Sequence, residues 1–245
     1  MSASWPPGKV AAVSLTFDGG TRSQFDSLRV LADLGLRATL YLDAPTFLDN
    51  LSACQDLANE GVELGNLALQ GATDEDGLIA RMPAETVADE VLEMKRLLLG
   101  MFDRRHSAAM PLVKVFTGES GLPIIPQVVH RSIVRLNDDL LGGALRDEYD
   151  TIRSSHDGFN GLESVQELRC YRGDSLDAVA LGLVTQIAIS QGQWLILSFG
   201  PGADPSAVRM FARWLVRQPV WSAPVIEIAD WLAEANHPHP TYDSL

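Results

Sequence analysis

The chain has 245 residues, of which 46% are hydrophobic and 21% charged, and its formal net charge is −13. That length and balance suit one globular α/β domain with a sizeable core, expected over 1–245 with the core at about 9–235, and so much acid argues against nucleic acid and anionic membrane as partners. No apolar run is long enough to span a bilayer, and Met1–Lys9 lacks the apolar centre of a signal peptide, so the expected location is cytoplasmic.

The elements follow in chain order. Val10–Phe17 is apolar and β-branched with little alternation, which predicts a parallel strand buried on both faces. It ends at Asp18, followed by Gly19 and Gly20, which allow a sharp turn or a close approach to a ligand. Ligands bind at the carboxyl ends of strands in parallel α/β folds, so Asp18 stands where a site is expected. Ser23–Leu34 predicts a helix capped by Ser23 and closed by Gly35. Arg37–Asp43 predicts a strand, Pro45–Glu60 a helix and Val62–Leu69 a third strand. Gly71–Pro83 is a polar, acidic loop. Ala84–Phe102 predicts the longest helix, with Val87, Val91, Met94, Leu98 and Phe102 on one face.

Beyond it, Leu112–Phe116 and Ile133–Leu136 predict strands, with a short helix near Ile125–His130 between them. Asp138–Asn160 carries few periodic signals. Leu168–Tyr171 reads as a short strand, Leu176–Ser190 as a helix and Trp194–Phe199 as a second fully apolar strand ended by Gly-Pro-Gly. Pro205–Val216 reads as a helix, Val225–Ile228 as a short strand, Ala229–Ala235 as a last helix and His237–Leu245 as a tail. Strand and helix alternate with short connections, which means a parallel sheet, open or closed into a barrel.

Several of these landmarks together resemble the polysaccharide deacetylase family, the NodB-homology domain of carbohydrate esterase type. Val13–Gly20 is similar to its first motif, usually Thr-Phe-Asp-Asp-Gly. Gly35–Leu42 is similar to its Gly-x-x-Ala-Thr-Phe-Phe strand, and Gly61-Val62-Glu63-Leu64-Gly65-Asn66 to the lead-in Gly-x-Glu-Ile-Gly-Asn-His. Trp194–Phe199 resembles the strand that delivers the last active-site histidine. The resemblance implies a distorted (β/α) barrel of about seven parallel strands. It also implies removal of N- or O-acetyl groups from amino sugars by a divalent metal held on one Asp and two His.

The residues that would carry that chemistry differ. Asp18 matches the general base. Gly19 stands where the metal-binding Asp is expected, and Leu67 and Gly71 where the two histidines are. The last histidine falls on Gly200, or on Ser198 if the strand slides. An arginine-proline motif would fall near Thr117–Ser120 and is not there. Leucine and glycine offer a metal no lone pair, and Asp18 alone is a weak base toward water.

The expectation is therefore a polysaccharide deacetylase-like protein of carbohydrate metabolism without the usual metal site and catalytically impaired. Asp18 is its one catalytic candidate. Gly19, Gly20, Glu119 and Asp138 are candidate substrate-binding positions for an N-acetylated sugar, or a partner, at the barrel mouth. No cofactor is expected. The alternative is an active hydrolase of non-peptide carbon–nitrogen bonds whose divalent metal, Zn, Mg or Mn, has moved to strand-end acids such as Asp18, Asp43, Glu119, Asp138 and Asp139. Leu67 is expected to fill the mouth with apolar surface.

Other candidates carry less. His106 follows the long helix, His130 precedes a strand, and His237 and His239 sit in the tail, which leaves His156 in a loop that could reach the mouth. Cys54 and Cys170 lie far apart without metal-type spacing and allow at most one disulfide. Among Tyr41, Trp194, Trp214, Trp221 and Trp231, Trp194 and Trp214 read as core, and no exposed aromatic pair announces a sugar cleft.

Overall fold

The computed structural model describes residues 4–67, 84–110, 143–154, 156–163, 166–174 and 176–236. Strand β1 (Ala11–Asp18) is buried along its whole length and pairs in parallel with β2 (Thr39–Leu42), β8 (Trp194–Phe199) and β9 (Val220–Ser222). The chain continues outward from β2 through parallel pairs to β3 (Glu63–Leu67), β4 (Ala108–Ala109), β5 (Ile152–Arg153) and β6 (Glu167–Leu168). On the other side β8 pairs with β7 (Tyr171–Arg172). The sheet therefore runs β6-β5-β4-β3-β2-β1-β8-β7, with β9 beside β1. Its two ends, β6 and β7, are separated in sequence by Arg169 and Cys170 alone, so the sheet curls back onto one stretch of chain. With β6 and β7 as one stave, the expected barrel of parallel strands is present.

The helices are α1 (Arg22–Asp33), α2 (Ala44–Asp49), α3 (Leu51–Asn59), α4 (Ala84–Met101), a short α5 over 143–148, α6 (Ala178–Gln191), α7 (Pro205–Leu215) and α8 (Val225–Asn236). Strand side chains alternate between two environments, as period two requires. Val13, Leu15 and Phe17 of β1 and Leu195, Leu197 and Phe199 of β8 join a core that includes Leu28 and Leu31 of α1 and Phe211 of α7. Phe17 and Phe199 stack there at 5.3 Å. The alternate residues face the barrel interior. Ala12, Trp194 and Ile196 meet Val225, Ile228 and Leu232 of α8 in a second core at the amino end of the strands.

Several local expectations are corrected. The first helix starts at Arg22 after Thr21, whose N–H donates to Gln24 Oε1 at 2.9 Å, rather than at a Ser23 cap. The predicted Pro45–Glu60 helix is two helices broken at Asn50. Val225–Ile228 is the start of α8 and not a strand, because its first amides find partners across the barrel: Val225 N–H donates to Thr39 Oγ1 and Ile226 N–H to Glu63. Tertiary capping overrides the β-branched pattern there. The last strand is instead Val220–Ser222. Gly71–Pro83, Leu112–Phe116, Ile125–His130 and Ile133–Leu136 lie outside the described residues, and the fourth strand of the barrel is Ala108–Ala109.

Cys54 and Cys170 are both buried and free, and burial pushes the Cys54 thiol up to about 12. No described helix is long and apolar enough to cross a membrane.

Candidate functional site

The alternation that builds the core also aims the site. Ser14, Thr16 and Asp18 occupy the even positions of β1 and face inward. Across the β1–β8 ladder Thr16 is registered with Ser198 and Phe17 with Phe199. Phe199 packs outward with the helices, so Ser198 is the residue of this strand that points at Asp18, and its hydroxyl donates to Asp18 Oδ2 at 3.1 Å. Gly200 lies past the strand, where its N–H donates to Asp174 at 2.5 Å. Of the two positions at which a last histidine was expected, Ser198 is the inward one. Gln24 of α1 holds this corner by donating to the carbonyls of both Asp18 and Phe199, at 2.9 and 3.0 Å.

Arg153 of β5 enters from the opposite wall. Its Nη1 donates to Asp18 Oδ1 at 2.9 Å and its Nη2 to Asp18 Oδ2 at 2.7 Å, a two-pronged ion pair. Nη1 also reaches Thr16 Oγ1 at 3.0 Å and Ser198 Oγ at 2.5 Å, and Nη2 reaches the Met110 carbonyl at 3.2 Å. The guanidinium carbon lies 5.0 Å from the centre of the Tyr41 ring, a cation–π distance. The Arg153 side chain is fully buried and that of Asp18 is 8% exposed. Burial by itself would lower the pKa of Arg153, yet the Asp18 carboxylate beside it holds it above the ordinary arginine value. The positive charge is thus fixed in the barrel.

A column of polar groups continues from Tyr41 toward the amino end of the strands. Glu63, 2% exposed, accepts from Thr39 Oγ1 at 2.8 Å, Ser107 N–H at 2.9 Å, Ser107 Oγ at 2.5 Å and Ile226 N–H at 3.0 Å. Ser107 spends its one proton on Glu63, so the 2.8 Å contact between its oxygen and Tyr41 is a bond that Tyr41 O–H donates. Burial first, and the Glu63 charge second, raise the Tyr41 pKa well above its usual value. Tyr41 is therefore a fixed donor and not a proton-transfer group. Gly65 makes room for its ring: a Cβ there would lie 2.5 Å from Tyr41 Cδ1.

What this arrangement can do chemically follows from lone pairs. A general base must present one to a water or hydroxyl within hydrogen-bond reach. Both Asp18 oxygens already accept from Arg153, and one also from Ser198, which leaves about one of the carboxylate's four acceptor sites. The residues do not fit a divalent metal either. Leu67, 1% exposed, packs against Tyr41 and Ala109, as expected of a leucine filling the mouth. Gly19 has φ of +111°, where a side chain would strain the backbone, and its N–H donates to the Tyr41 carbonyl at 3.0 Å. Among the described residues no group of three or more His, Cys, Asp or Glu could hold a metal ion.

Other predicted positions are distributed as follows. Gly20, at φ +69°, continues the turn after Asp18, and a Cβ on it would meet Leu42 Cδ2 at 2.3 Å. Asp43 caps α2 by accepting from Thr46 N–H at 2.9 Å, so this strand-end acid is spent on a helix. Glu119, Asp138, Asp139, Gly71, His130, His237 and His239 lie outside the described residues. His156 is exposed, in a loop after β5. Trp194 is fully buried, as expected.

Sequence reasoning missed Arg153 and Ser107 and, although it named Tyr41 among the aromatics and Glu63 within a motif, the roles of both. Arg153 sits in a two-residue strand, too short for any periodic signal. Only the register places it, pairing Arg153 with Ala109 of β4.

No protein-family model matches the sequence, and no curated protein sequence is similar to it. Solved structures do match. Bacillus subtilis peptidoglycan deacetylase PdaC superposes with a TM-score of 0.53 at 10% identity, over 95% of this chain and 96% of that one. A BA3943 mutant, a CE4 family pseudoenzyme with restored enzymatic activity, gives 0.56 at 14%, over 92% and 70%. The Xyl-CE4 domain of a multidomain xylanase from the hindgut metagenome of Trinervitermes trinervoides gives 0.54 at 15%, over 90% of each. At these identities the likeness shows the fold: a NodB-like (β/α) barrel of the CE4 polysaccharide deacetylases.

Proposed function

We propose that this chain, folded as a CE4 polysaccharide deacetylase, is a catalytically impaired member of that group that keeps the barrel as a binding scaffold. The observation that carries this reading is the commitment of Asp18: its carboxylate is held at both oxygens by Arg153 and at one by Ser198. Activation of water needs either a base that a water can reach or a metal that lowers the pKa of the water, and three of the about four acceptor sites of the Asp18 carboxylate are taken on a side chain only 8% exposed. Leu67 and Gly19 stand where ligands for such a metal would be needed. The ligand proposed for the mouth is an N-acetylated sugar or a partner protein.

Acetate release from chitooligosaccharides and peptidoglycan fragments tests the reading, with and without added Zn²⁺, Mg²⁺ or Mn²⁺. No release above the rate of a heat-inactivated sample is expected. Release that an Asp18→Asn variant abolishes would establish the alternative, an active hydrolase with a relocated divalent metal.

A further inference from the structure

The end of the barrel opposite Asp18 carries a cavity of about 560 Å³, within the range of small-ligand sites. Its walls combine two kinds of surface. One is a perpendicular pair of indoles, Trp221 and Trp231, with centroids 5.6 Å apart. Trp231 is 37% exposed, and its ring is held in place from behind, where Nε1 donates to the Ser4 carbonyl at 3.0 Å. One exposed indole, Trp231, and one half-buried indole, Trp221, thus meet at this end, assembled from α8 and β9.

The other surface is a set of planar charged groups. Arg37 is clamped by Glu227 through two bonds of 2.5 and 2.6 Å. Arg105 is held by Asp230 and by Asp150. Glu234 also lines the cavity and is exposed. A carboxylate has about four acceptor sites and a guanidinium five donors, so these pairs fix one another's orientation and still have bonds to give.

A rigid indole beside oriented carboxylates and guanidinia matches one ligand chemistry. A pyranose has an apolar C–H face that packs on an indole, and its vicinal hydroxyls are spaced to take two parallel bonds from one planar group. Ordering costs are low because the side chains are already fixed. We propose that this far face of the barrel is a binding site for an oligosaccharide whose pyranose units carry free vicinal hydroxyls. The site is separate from the mouth, and the proposal stands independently of the fate of Asp18. A β-1,4-linked glucose or xylose chain offers a 2,3-diol on every unit. In an N-acetylated chain the 2-position is blocked, so such a chain is the poorer ligand at this site.

The test is calorimetric titration of the full chain with cellotetraose and with chitotetraose, followed by the indole N–H signals in NMR. Saturable binding of cellotetraose is expected, and at these two indoles weaker binding of chitotetraose. The Trp231 and Trp221 indole signals should move, while that of the buried Trp194 stays. Trp231→Ala should weaken cellotetraose binding at least about tenfold, and Trp231→Phe should keep most of it. No saturable binding of cellotetraose would overturn the proposal. So would shifts confined to signals other than those of Trp221 and Trp231, a readout on the unmodified chain that does not depend on how the variants fold. Chitotetraose that moves these two indoles as tightly as cellotetraose does would overturn the preference for free vicinal hydroxyls, whereas chitotetraose bound without moving them occupies the mouth, as the proposed function expects.

Discussion

Arg153 grips both carboxylate oxygens of Asp18 from the opposite wall of the barrel, at 2.9 and 2.7 Å. The pair joins β5 to β1 where the strands end, and Ser198 ties in β8. A divalent cation bound at strand ends would supply the same two things, a positive charge and a cross-strand link. In this barrel a side chain supplies both. A buried ion pair gains little over a well-packed apolar alternative, but it becomes costly when one partner is lost. That asymmetry shapes the predictions.

Glu63 should matter to stability more than any single hydroxyl near it. It satisfies two backbone amides, one of them in the first turn of α8, and two side-chain hydroxyls. Glu63→Leu would take the acceptor from all four donors, three of them buried, at a cost of about 3 kcal/mol or more. Ser107→Ala should cost about 1 kcal/mol. Urea unfolding measures both, and equal effects would show that the carboxylate is not the hub of the column.

Acid should weaken the fold partly through His106. Its Nδ1 bonds to the Leu64 carbonyl at 2.7 Å, which makes it the proton-bearing nitrogen of a neutral ring, and Nε2 is buried without a partner among the described residues. Burial lowers the pKa of this imidazole below 6.5. The unfolded chain therefore binds more protons than the folded one as pH falls through about 6.5. The stability from this group is complete above that pH, is lost as pH drops, and levels off once the folded ring protonates. Thermal midpoints from neutral pH down to mildly acidic pH should fall less in His106→Gln than in the parent. Parallel slopes would mean that other groups set the pH dependence.

Leu67 should behave as core. Burying a leucine contributes about 1.5–3 kcal/mol, and Leu67→Ala should cost about 2–5 kcal/mol once the cavity is included. Leu67→His should also destabilise, because it exchanges apolar contact with Tyr41 and Ala109 for a buried polar ring. Denaturant midpoints check this, and an unchanged midpoint for Leu67→Ala would place the side chain outside the core.

Zinc should leave the parent's melting midpoint unchanged. A metal stabilises only by binding the folded state more tightly than the unfolded one, and Gly19 and Leu67 provide no ligands. A rise in midpoint with added Zn²⁺, reversed by a chelator, would reveal a metal site elsewhere.

Much of the barrel was legible because long apolar strands and capped helices write themselves into sequence. Val10–Phe17 and Trp194–Phe199 were readable as fully buried strands, and Asp18 as the residue at the end of the first. Leu67 was readable as mouth filler only through the resemblance, which sets it where the family's first histidine points into the mouth. The short staves were not legible. β4, β5, β6 and β7 have two residues each, below the length at which alternation can be recognised. Arg153 was hidden for that reason, and its meaning rests on a contact 135 positions away in sequence. Val225–Ile228 misled because β-branched residues outvoted a cap supplied by Thr39 and Glu63. The Trp221–Trp231 pair was hidden because the fold, not the spacing, brings the rings together.

The most direct test of the central claim is a double-mutant cycle on Asp18 and Arg153, read by urea unfolding. Asp18→Asn and Arg153→Met should each cost about 3–5 kcal/mol, because each leaves a buried charge or its polar partners uncompensated. The double variant should cost less than the sum of the two by about 2 kcal/mol or more. Additive losses would contradict the claim: the two groups would then not depend on each other, and the Asp18 carboxylate would be free to act on a substrate.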